Sequence, residues 1–173
     1  MSFVCISIQL RKGVNCMKSI LRKIDNIDWF AIEVFVNWSD STYGNAAEIA
    51  IYLKNLFSGN TDLALDAAHE LWCSLCHQHS YITSAAVPAY DFLIAGLKEL
   101  DDEIKVEILD ILVGFAVCTC DTRYELSKKQ PLNWEITLRQ KLSDDIKLFQ
   151  GLSSHVNEDI SYFAEQIVSN LNT

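Results

Sequence analysis

The chain has 173 residues, half of them apolar, with only two prolines and six glycines, so one domain with a buried core is expected and wholesale disorder is excluded. Its formal net charge of −9 is unevenly spread: residues 1–24 carry five bases and no acids, while residues 25–121 carry sixteen acids against Lys54, Lys98 and Lys105. A field of that sign repels phosphate backbones and anionic lipid and draws in basic partners, which argues against nucleic acid or a membrane surface as the partner of the central region.

Taken in chain order, residues 1–16 hold a short β-like run followed by Arg11-Lys12-Gly13, and read as an extension that is disordered or weakly docked. Met17 opens a helical pattern, MKSILRKI, and with it a single domain over residues 17–173. The apolar segment IDWFAIEVFV (27–36) reads as a short, largely buried helix, and residues 37–44 as loop. Asn45 is expected to cap the next helix, with Glu48 completing a capping box, and that helix runs to Phe57. After the break Ser58-Gly59-Asn60-Thr61, a helix over 62–78 carries Ala64, Ala68, Leu71, Trp72 and Leu75 at three-and-four spacing. A helix over 83–99 follows, with Pro88 near its start, where proline is tolerated. Asp101 caps another over 102–117, with Ile104, Ile108, Leu109, Leu112 and Phe115 inward. Residues 120–133 are polar and read as the longest break. Two helices close the chain, one over 134–149 and one over 158–171 capped by Asn157.

The two central units repeat. Shifted by 41 residues, NTDLALDAAHELWCSL (60–75) falls on DDEIKVEILDILVGFA (101–116): Asp62 meets Glu103, Asp66 meets Glu107, Ala68 meets Leu109 and Leu71 meets Leu112. Leu53 and Leu56 upstream meet Ile94 and Leu97. A helical self-match at this period is the mark of two-helix repeats of the HEAT and armadillo kind, which bury their apolar faces by stacking. The fold class expected is all-α, a short α-α superhelix of seven to eight helices, with repeats over 45–78 and 83–118 and an atypical terminal pair over 133–172.

The tract YGNAAEIAIYLKNL (43–56), with ALDAAHELWCSLCHQHSYITSAAVPAYDFLIAGL (64–97), resembles a bacterial HEAT-repeat-like family. The shared features are Tyr43-Gly44, His77-Gln78, Tyr81, Val87-Pro88 and Trp29, over residues 25–120; His79 stands where the family has glycine. The resemblance implies an α-α superhelix and carries over no catalytic residues. Some small helical-repeat proteins of this look are encoded beside bacterial toxins as immunity proteins, which implies a protein-binding role here.

Several constellations invite chemistry. Cys73-Ser74-Leu75-Cys76-His77 matches the haem-attachment spacing, but Leu75 and Trp72 belong to a core stripe and the opening MSFVCISIQL is the reverse of a secretory signal. Cys73, Cys76, His77 and His79, or the first two with Cys118 and Cys120, have partial zinc spacing. Packed free thiols are the preferred reading, and no metal or cofactor is expected. His77, Gln78, His79 and Tyr81 fit a helix C-terminus, where imidazoles meet free carbonyls. No Ser-His-Asp order, phosphate loop or carboxylate pair suggests an enzyme. What remains is acidic: Asp62, Asp66 and Glu70 beside Glu103, Glu107 and Asp110, with Glu99, Asp101 and Asp102 at one end, form the expected surface for a basic protein. The expectation is a cytoplasmic, immunity-type inhibitor of a basic toxin; the alternative is a HEAT-type scaffold for an endogenous partner.

Overall fold

The structure, a computed structural model, describes residues 16–37 and 42–173. The expected extension therefore lies outside the described residues, apart from Cys16, which begins helix α1 (16–25). A 3-10 turn (Trp29–Ala31) leads into β1 (Glu33–Phe35), which pairs antiparallel with β2 (Thr42–Asn45). The helices that follow are α2 (Ala47–Leu56), α3 (Thr61–Cys76), α4 (Ala86–Glu99) and α5 (Asp102–Cys118). After them come α6 (Asp121–Ser127), α7 (Asn133–Asp144), α8 (Ile146–Leu152) and α9 (Glu158–Leu171). Among the described residues the fold is all-α, with a small two-stranded hairpin.

Two helical layers stack. Helices α2 and α3 form one hairpin and α4 and α5 the next; α2 packs on α4, and α3 on α5. The terminal unit continues the pattern, α7 against α4 and α9 against α5, with α8 joining them. One layer is thus α2–α4–α7 and the other α3–α5–α9, the arrangement expected of stacked two-helix repeats. The 41-residue offset is also structural. Asn60 and Asp101 are the N-caps of α3 and α5, so the two helices start in the same register. Asn60 accepts the Leu63 N–H at 3.1 Å, while Asp101 makes no side-chain cap.

Helix α5 is central because it is apolar nearly all round: Ile104, Ile108, Leu109, Ile111, Leu112, Val113, Phe115 and Ala116 are buried. Two glycines let neighbours approach it. A Cβ at Gly96 would lie 2.6 Å from Ile108 Cδ1, and one at Gly114 would lie 2.8 Å from Cys76 Sγ. The Gly114 contact explains why α5 carries glycine there.

Four expectations are corrected. Residues 27–36 are not a helix: burial alternates from exposed Glu33 through buried Val34 and exposed Phe35 to buried Val36, and a two-residue period with β-branched residues makes a strand. Asn45 and Glu48 form no capping box. The N-cap is Ala46, and Asn45, one residue early, accepts the Ala47 N–H at 3.0 Å from the end of β2. The 120–133 break contains α6, which Lys128 ends in a left-handed conformation (φ 56°). The single helix expected over 134–149 breaks at Asp145. There the buried Tyr90 of α4 brings its hydroxyl to 3.0 Å from Asp145 Oδ2 and 3.1 Å from the Lys141 carbonyl.

The basic residues of the C-terminal part act largely as clamps. Arg139 of α7 donates to the carbonyls of Ala116 and Leu171, at the C-terminal ends of α5 and α9 (3.4 and 3.2 Å). A guanidinium there also meets two negative helix-dipole ends. Glu135, buried in the first turn of α7, accepts the Leu132 N–H at 2.7 Å.

Candidate functional site: an acidic face and an aromatic end pocket

The outer face of α3 and α5 carries the acidic set. Asp62, Asp66 and Glu70 on α3 and Glu103 and Glu107 on α5 are exposed, as are Asp101 and Glu99 at the adjoining helix ends. The three-and-four spacing that buries Ala64, Ala67, Ala68 and Leu71 leaves positions 62, 66 and 70 outward, and the same holds for 103 and 107. The Glu107 carboxyl is pushed up, first by partial burial and then by the charge of Asp110, with Glu103 adding and His69 of α3 opposing. The faces of α3 and α5 therefore adjoin at His69 and Glu107.

Two of the nine expected acids are occupied inside the molecule. Asp102 pairs with Lys105 at 2.8 Å and lies 3.9 Å from His155, and Lys105 holds its carboxyl below the usual range. Asp110 receives His79 Nε2 at 3.1 Å on its carboxylate, and its backbone carbonyl lies 3.0 Å from the same nitrogen. That hydrogen bond raises the His79 pKa, against the lowering effect of burial. Glu99 differs again: it hydrogen-bonds Cys16 at the start of α1 and raises that thiol.

His79 belongs to a turn that is held from several sides. Gln78 and His79 both have positive φ (51° and 52°), uncommon for residues with a Cβ and tolerated only where contacts enforce it. Three such contacts hold it: Arg123 of α6 donates to the carbonyls of His79 and Ser80, and Cys118 Sγ donates to the His79 carbonyl. His79 is not glycine, and its backbone still takes the left-handed conformation glycine would favour.

Beside this turn the rings gather. Trp72 stacks on His69 (centroids 6.1 Å) and meets His77 at 5.5 Å, and His77 stacks on Tyr81 at 5.8 Å. Next to them is a cavity of about 170 Å³ between the β-hairpin, the start of α2 and the end of α3. Val34, Val36 and Ile49 form apolar walls, and Tyr43, Tyr81, Glu48 and Cys73 supply the remainder that matters chemically. The cavity is held open by a fixed frame: Asn37 exchanges backbone and side-chain hydrogen bonds with Ile82, and the Thr83 hydroxyl donates to the Ser74 carbonyl at 3.1 Å. Sequence reasoning singled out Tyr43 and Tyr81 as turn features and did not bring them together; the hairpin does.

The thiols separate. Cys76 is buried against Gly114, and burial pushes its pKa well up; burial likewise raises Cys118 to about 11. Cys73 is half-buried at the pocket wall, with His69 Nε2 3.8 Å away. Two thioethers to one porphyrin edge need both sulfurs accessible on one side, which buried Cys76 does not offer. Among the described residues no three His, Cys, Asp or Glu side chains are grouped to hold a metal ion. None of the described helices is long and apolar enough to cross a membrane.

No family model, no characterised protein and no solved structure matches the chain.

Proposed function

We propose that the protein is a non-catalytic binding module that captures a basic protein on the outer face of α3 and α5, in the manner of an immunity-type inhibitor covering a basic toxin such as a nuclease. One observation carries the reading. Asp62 and Asp66 recur in register as Glu103 and Glu107 on the neighbouring helix, all four exposed, and none is ion-paired to a base among the described residues. By contrast, Lys54 and Lys105, two of the three bases within residues 25–121, are tied to Asp25 and Asp102. Partial burial raises the Glu107 carboxyl first and the charge of Asp110 second, and a cation brought in by a partner would relieve that second, like-charge part.

The chemistry expected is electrostatic steering: fast association that weakens with salt. The test is co-expression with the product of the reading frame adjacent to its own, followed by binding kinetics at low and high salt. Reversing Asp62, Asp66, Glu103 and Glu107 to Lys should slow association about tenfold or more at low salt and erase most of the salt dependence. Unchanged association by the folded, charge-reversed protein would remove this face from the mechanism.

A further inference from the structure

We propose that the pocket between the β-hairpin and the end of α3 is a receptor for a single arginine side chain of a basic partner, gripped between the Tyr43 and Tyr81 rings with Glu48 as its counter-ion. The proposal rests on the protein-binding reading above and adds the anchor that an acidic face by itself lacks.

Size decides the class of ligand first. Small-molecule and cofactor sites usually enclose about 300–1,000 Å³. A cavity of about 170 Å³ is too small for those and matches the planar head group and lower stem of one long side chain. Its chemistry then decides the sign. Tyr43 and Tyr81 line it, His77 stacks on one face of Tyr81, and Glu48 stands at the start of α2 with no basic partner among the described residues. Ring faces attract cations, and a carboxylate at the rim adds charge and hydrogen-bond acceptors. The surroundings agree: Tyr52, on the same helix as Glu48, has its pKa raised by burial and then by the charges of Glu48 and Glu70. The carboxylate charges that disfavour a phenolate at Tyr52 favour a cation nearby.

Arginine is preferred to lysine because its flat guanidinium stacks on aromatic faces, pairs with a carboxylate in a fixed fork and is the more weakly hydrated of the two. The apolar back of the pocket, Val34, Val36 and Ile49, would take the methylene stem. Buried aromatic and arginine anchors of this kind carry most of the energy of protein interfaces, whereas exposed charges mainly set rate.

The probe is a blocked Gly-Arg-Gly tripeptide added to the isotopically labelled full chain, with Gly-citrulline-Gly as its neutral, nearly isosteric control, followed by chemical shifts. Arginine should give saturable shifts centred on Tyr43, Cys73 and Tyr81, and citrulline should bind about tenfold more weakly or not at all. Glu48→Gln and Tyr81→Leu should each weaken the arginine peptide about fivefold to tenfold while the remaining spectrum stays that of the folded chain. Reversing Asp62, Asp66, Glu103 and Glu107 should leave the peptide shifts in place. Equal shifts with citrulline, shifts confined to α3 and α5, or no shifts would each overturn the pocket. Peptide binding retained by the charge-reversed protein, with partner association unaltered, would instead sink the acidic face and leave the pocket standing.

Discussion

At the residue scale, the most consequential positions are those where two repeats touch. Gly114 has no room for a methyl group: Cys76 Sγ, Cys76 Cβ and His79 Cδ2 would all lie within 2.9 Å of a Cβ. Gly114→Ala should therefore cost about 1–3 kcal/mol by overpacking, seen as a lower urea midpoint with an unchanged slope. A wild-type midpoint would show that α3 and α5 can part without loss. His79 makes a prediction with a sign. Its folded pKa is raised by the Asp110 hydrogen bond, so protonated His79 stabilises the fold. That contribution is fully present below the unfolded-state value of about 6.5 and is lost as pH rises through the raised folded value. The midpoint of urea unfolding should fall across that window in the wild type, and His79→Gln should flatten that part of the profile. If both proteins follow the same curve, the imidazole–carboxylate pair contributes nothing to stability.

At the element scale, the hairpin and α6 show where periodicity alone misleads. The segment IDWFAIEVFV is apolar enough for a buried helix, and because Phe35 is apolar yet exposed, the two-residue strand beat shows only in the burial of Val34 and Val36. A short polar stretch such as 121–127 forms α6 because its neighbours hold it: Arg123 reaches back to the His79 turn, and the pKa of Tyr124 is raised by burial and then by Glu135 of α7. Seven residues make a helix only with such support. Arg139 does comparable work at the far end. Arg139→Met keeps the stem and removes both carbonyl contacts, and should cost about 1–3 kcal/mol. Hydrogen exchange should then quicken at the C-terminal turns of α5 and α9 before it quickens elsewhere.

On the scale of the whole molecule, two layers of stacked helices place the α3 and α5 starts side by side and gather the hairpin, α2 and the end of α3 around one pocket. The pocket thus sits at the C-terminal end of α3, one of the two helices whose outer face is acidic. A basic partner that covers both would be steered by the acidic face and seated by the pocket. Its dissociation should respond to Tyr81→Leu, and its association to salt and to the charge reversals, because rim charges act on encounter and buried anchors on release. Association and dissociation rates for those variants measure the division directly, and a Tyr81 variant that changes only association would contradict it.

How much of this was legible in advance differs by kind. The helices of both repeats, their 41-residue spacing, the inward residues and the outward acids follow from periodicity, because a helix that must bury one stripe writes that stripe into its sequence. The terminal helix is equally plain, since Asn157 caps it and Ile160, Ala164 and Ile167 bury in step. The pocket is another matter. Tyr43, Glu48, Cys73 and Tyr81 come from four separate segments, and only strand pairing across the unpatterned 37–44 stretch brings them together. The same is true of Asp102 and Asp110, which look like their exposed neighbours until Lys105 and His79 are seen to hold them. Local pattern reports which side of an element faces the core; which partner meets a polar side chain is settled by distances in space, and those only the folded chain possesses.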